Sequence, residues 1–91
     1  MVTRVRTFSL TRYVDTALSL AQYERDENGA VIALVPNASG FFAQGDSFEE
    51  ARSNLRDVIE GNVLLALQLE LPIPTMPGVI IEEQDAEAYA A

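Results

Sequence analysis

Between Val35 and Ala51 the chain reads VPNASGFFAQGDSFEEA, and the order of its turn and helix signals leaves few folds open. Pro36 has no amide hydrogen and cannot extend a ladder, so the apolar, β-branched run Ala30 to Val35 must end as a strand there. Gly40 and Gly45 bracket Phe41 to Gln44, a second strand-like segment. Ser47 followed by Glu50 has capping-box spacing: the hydroxyl can accept from the Glu50 amide while the carboxylate returns to the Ser47 amide. The stretch therefore reads as strand, loop, strand and helix start.

Gly40, Gly45, Asp46 and Ser47 also carry the spacing of a phosphate-binding loop, but with aspartate where that loop needs lysine. A strand between the glycines leaves no curl of amides for a phosphate, and Asp46 would repel one. The glycines are read as strand boundaries.

Upstream, Glu27-Asn28-Gly29 is a turn signal, and with Tyr23 to Asp26 before it the two flanking segments form a hairpin. The meander has three antiparallel strands. Its middle strand lacks alternation, which implies cover on both faces.

Residues 10 to 21 place Leu10, Tyr13, Val14, Ala17, Leu18 and Ala21 on one helical face, with Ser9 or Thr11 as cap. A second helix runs from about Phe48 to about Leu69. It directs Phe48, Ala51, Leu55, Val58, Ile59 and Asn62 or Val63 inward, and Arg52, Arg56, Asp57 and Glu60 outward. Beyond Gly61 the apolar residues point in nearly every direction. Leu64, Leu65, Leu67, Leu69 and Leu71 are assigned to an interface with a second copy or another partner. Pro72 and Pro74 stop the helix, Pro77-Gly78 makes a turn, and Val79 to Glu83 form a fourth strand that can add in parallel beside the first. Gln84 to Ala91 are an acidic tail. The expectation is one α+β domain over residues 1–91, in the order α-β-β-β-α-β.

The missing residue types limit the chemistry. There is no Cys, His, Trp or Lys, which removes thiol and imidazole catalysis, the commonest metal ligands and any Schiff base. The net charge is −8, and residues 46 to 91 hold ten acids against Arg52 and Arg56. Such a surface repels nucleic acid and attracts basic proteins. Asp46, Glu49 and Glu50, with Glu24 and Asp26 nearby, could hold a hard cation, but a solvated helix start accounts for them. Arg4 with Arg6, and Arg52 with Arg56, read as solvated faces, the second pair within reach of Glu49 and Glu60. No catalytic residue, cofactor or metal is assigned. The longest apolar run, Val63 to Leu67, is far short of a membrane span, so the cytoplasm is the default location.

Taken in order, Tyr23-Glu24-Arg25-Asp26-Glu27-Asn28-Gly29, Val35-Pro36, Gly40, Ala43 to Ala51, Asn54-Leu55 and Leu71-Pro72-Ile73-Pro74 resemble the HicB-like antitoxin family. The resemblance implies a partial ribonuclease H-like fold without catalytic carboxylates, a small basic ribonuclease toxin of the HicA type as partner, and oligomeric assembly. Gly29, Pro36, Gly40, Gly45, Ser47 and Glu50 are its structural motif. The 14 residues after Pro77 are acidic and too few for the DNA-binding module of many family members, so operator binding is not expected. The helix over 10 to 21 lies outside the family pattern, whose core spans about 22 to 83. The leading reading is a non-enzymatic antitoxin domain. Two alternatives stand beside it, a structural or regulatory oligomer without a toxin and an acidic metal-dependent hydrolase.

Overall fold

A computed structural model describes residues 2–87, with side chains over 5–84. The elements are β1 (Val2–Thr7), α1 (Leu10–Ser19), β2 (Gln22–Arg25), β3 (Val31–Leu34), β4 (Phe42–Gly45), α2 (Phe48–Leu69) and β5 (Glu82–Glu87). The α-β-β-β-α-β order is present, preceded by a strand that the sequence reading did not assign.

Strands β2, β3 and β4 form the antiparallel meander, with β3 in the centre. The β2–β3 turn is organised by Asp26, whose carboxylate accepts from the amides of Asn28 and Ala30, both at 2.9 Å. Gly29, at φ +85°, takes the left-handed position this turn requires. Helix α2 lies across β3 and β4, and α1 packs against α2. Val31, Ala33 and Val35 are buried beneath the helices with Tyr13, Leu18, Leu55 and Ile59. Ile32 and Leu34, on the other face of β3, are only partly buried, so the expected two-sided cover is one-sided within this chain.

Both helices start with side-chain caps. Ser9 accepts from the Arg12 amide at 3.1 Å. At α2, Ser47 Oγ accepts from the Glu50 amide at 3.0 Å, and Glu50 Oε1 reaches back to the Asp46 amide at 2.9 Å rather than to that of Ser47. The return bond thus lands one residue earlier than the capping-box spacing predicts. Gly45 packs hard under this turn: a Cβ there would lie 2.6 Å from the Ala51 nitrogen.

The fourth strand departs from expectation. Residues 79 to 81 do not join the meander; Val79 instead bridges to Met76 across the Pro77-Gly78 turn. Val79 and Ile81 are thereby drawn onto the core, and the strand begins only at Glu82. It pairs antiparallel with β1, not in parallel beside β2, with Arg6 opposite Glu83 and Arg4 opposite Asp85 in register. Gln84 to Glu87 of the expected tail belong to this strand, and 88–91 lie outside the described residues.

Candidate interaction surface

The buried stripe of α2 is Ala51, Leu55, Ile59, Val63 and Ala66, at helical spacing. Of the other residues expected to face inward, Phe48 is half-exposed, Val58 partly buried and Asn62 exposed. Phe48 nonetheless has partners. Its ring meets Tyr23 edge-on at 5.9 Å and lies 5.3 Å from the Arg25 guanidinium.

The distal half of α2 exposes what the sequence assigned to an interface. Leu64, Leu65, Leu69 and Leu71 are 50%, 49%, 58% and 45% exposed, a large apolar patch for so small a surface. Leu67 differs, because it turns inward and packs against the core. No charged side chain interrupts α2 between Glu60 and Glu70.

The helix end explains why the leucines stay outside. Glu70 adopts the left-handed conformation at φ 56°, and Leu71 returns its amide to the Ala66 carbonyl at 2.8 Å. Arg6 of β1 donates to that same carbonyl at 2.9 Å and to the Leu71 carbonyl at 2.6 Å, placing a cation at the negative end of the helix. The chain then doubles back as a proline-rich strap. Tyr13, wholly buried, holds the strap by donating its hydroxyl to the Pro74 carbonyl at 2.5 Å. Burial pushes the Tyr13 phenol up to about 12.

Between strap and helix runs an apolar groove of about 260 Å³, floored by Phe41, Val63 and Ala66 and rimmed by Leu65, Leu71 and Pro72. It contains no titratable group. Ser39 and Asn62 add a hydroxyl and an amide to its lining, and such a groove can accept an apolar side chain.

The acids lie elsewhere on the surface. Among the described residues Glu24, Glu27, Asp46, Glu49 and Asp57 have no ion pair, and no three carboxylates are grouped to hold a metal. Glu50 is committed to its cap. Arg56 reaches Asp15 of α1 at 3.3 Å instead of Glu60, and Arg52 pairs with nothing described, so the expected pairing within α2 does not form. Gly40 to Gly45 carries no phosphate cradle: Phe42–Gly45 is extended, and Gly40, at φ +88°, closes the loop that follows Pro36.

Residues 12–74, from within α1 to the proline strap, match a known family model, UPF0150-like. The chain belongs to the UPF0150-like family. The UPF0150 protein ssr1258 of Synechocystis sp. is 43% identical over 37 residues, covering 41% of this chain. The chain matches about half the length of that relative, 54%. The crystal structure of TTHA0281 from Thermus thermophilus superposes with a TM-score of 0.74 at 31% identity, covering 80% of this chain and 91% of that one. The UPF0150-like match begins at Arg12, inside α1. Among the described residues of this UPF0150-like chain, no helix is long and apolar enough to cross a membrane.

Proposed function

We propose that this UPF0150-like chain is a HicB-like antitoxin domain, without enzymatic activity of its own, that binds and neutralises a small basic ribonuclease of the HicA type in the cytoplasm. The observation that carries the reading is the distribution of charge. Acids on three separate parts of the surface, Glu24 and Glu27 on the hairpin, Asp46 and Glu49 at the start of α2, and Asp57 along it, have no ion-pair partner among the described residues. At a net charge of −8 their mutual repulsion is relieved by a basic partner. The leucine patch supplies the complementary element, an uncharged surface on which copies associate through Leu64, Leu65, Leu69 and Leu71.

Co-expression tests this reading. Cells producing a basic ribonuclease toxin encoded beside this chain should resume growth when the chain is produced with it. Persistent growth arrest at full expression of the chain would reject the proposal.

A further inference from the structure

Among the described residues, the β2 edge of the meander and the ribbon of β1 and β5 have no further strand beside them. In the β3–β4 ladder the Val35 amide donates to the Phe41 carbonyl at 2.9 Å. Bonded and non-bonded pairs alternate along an antiparallel ladder, so Val31, Ala33 and Val35 turn their polar groups to β4, while Ile32 and Leu34 turn theirs to β2. On β2 the Asp26 amide donates to the Ala30 carbonyl at 2.8 Å. By the same alternation Gln22 and Glu24 bond to β3, and the amides and carbonyls of Tyr23 and Arg25 point out of the sheet. Nothing among the described residues meets them. The opposite edge is treated differently: Asn54 Nδ2 donates to the Gln44 carbonyl at 2.8 Å, so a side chain blunts β4.

The second unpartnered element is the ribbon of β1 and β5. Among the described residues these strands pair with each other and with no third strand. A two-stranded ribbon alone is marginal in water. The ribbon stands out from the body, and the radius of gyration is 15.7 Å against about 12 Å for a compact chain of this length. Arg6 fixes β1 to the end of α2, and within one chain the ribbon does not pair with β2. β1 is rich in β-branched residues and is the one described strand with a positive balance, carrying Arg4 and Arg6 and no acid. β5 carries Glu82, Glu83, Asp85 and Glu87. The β2 edge and its exit carry Glu24, Arg25 and Asp26, two acids against one base, a balance that favours β1 over β5 as its neighbour.

We propose that the ribbon of one copy adds to the β2 edge of a second copy. β1 then lies against Tyr23 and Arg25, in a five-stranded sheet of order β5-β1-β2-β3-β4 drawn from two chains. A reciprocal exchange closes the pair on a two-fold axis and covers the outer edges of β1 and β2 in both copies. The proposal uses neither the leucine patch nor a toxin, and it stands or falls separately from them.

Amide hydrogen exchange on the full chain, followed residue by residue by NMR, tests it. The Tyr23 and Arg25 amides, which have no acceptor among the described residues, should exchange about 100-fold or more slower than unstructured amides. Mixing isotopically labelled and unlabelled chains should show contacts from β1 of one copy to β2 of the other. In a Val5→Pro variant, which breaks β1 outside the core, Tyr23 and Arg25 should exchange freely while Ile32 and Ala33 stay slow. Unprotected Tyr23 and Arg25 amides in the native chain would overturn the proposal, as would an absence of contacts between labelled and unlabelled copies.

Discussion

The Tyr13 hydroxyl donates to the Pro74 carbonyl across 61 positions of sequence, and this one bond ties α1 to the strap that forms one wall of the groove. Tyr13 also meets Phe8 and Phe41 edge-on, at 5.9 and 6.4 Å, so its ring is held on two sides. Replacing it with Phe keeps the packing and leaves the Pro74 carbonyl without its donor, at a cost of about 1 kcal/mol. The same residue sets an alkaline limit. Burial raises the phenol from 10.0 to about 12, so the folded state retains the proton while the unfolded state loses it. Stability from this group is complete below pH 10 and falls as pH rises from 10 towards 12, by up to about 1.4 kcal/mol per unit. Urea denaturation across that range should show a shallower loss in Tyr13→Phe than in the native chain; equal slopes would remove Tyr13 as the cause.

Gly45 is fixed by space. A Cβ there would meet the Ala51 nitrogen at 2.6 Å and the Glu50 carbonyl carbon at 2.9 Å, both backbone atoms at the start of α2. Gly45→Ala should lower stability by about 1–3 kcal/mol through overpacking. Thermal denaturation of the variant checks this, and an unchanged midpoint would mean that α2 can slide over β4.

Gly61 has the opposite character, since it sits within α2 with nothing near the site of a Cβ. Gly61→Ala should stabilise the fold by about 0.5–1 kcal/mol by removing backbone freedom from the unfolded chain. A shift of the denaturant midpoint to higher concentration at constant slope is the expected readout.

Leu65 is half-exposed on the groove rim, whereas Leu67 faces the core. Leu65→Glu should therefore leave the fold intact and reduce the oligomer mass by half or more, because a charge would enter an apolar contact. Light scattering measures this directly, and an unchanged mass would move the contact between copies elsewhere. Leu67→Glu should instead lower stability.

Local signals made most of the body legible from the sequence. Pro36, the Asn28-Gly29 turn and the Ser47–Glu50 spacing bound β3, β2 and α2, because each acts through its immediate neighbours. The apolar stripe of α2 was equally readable from its period, and the exposed leucines from its loss after Gly61. What could not be read locally depends on distant partners. β1 shows β-branched residues at Val2, Thr3, Val5 and Thr7, but only its pairing with β5 makes it a strand. The strand expected at Val79 was displaced because Met76 captured Val79 across the Pro77-Gly78 turn. By its neighbours in sequence Arg6 reads as a solvated cation, and nothing in them announces carbonyls 60 and 65 positions away.

The net charge of −8 leads to the proposal that this acidic chain binds a small basic ribonuclease. Calorimetric titration of the purified chain with a HicA-type ribonuclease encoded beside it, at low and at high salt, tests this most directly. The expected result is a saturable complex whose affinity weakens as salt rises, with loss of ribonuclease activity at the same stoichiometry. Absence of binding at low salt, with both proteins folded, would contradict it.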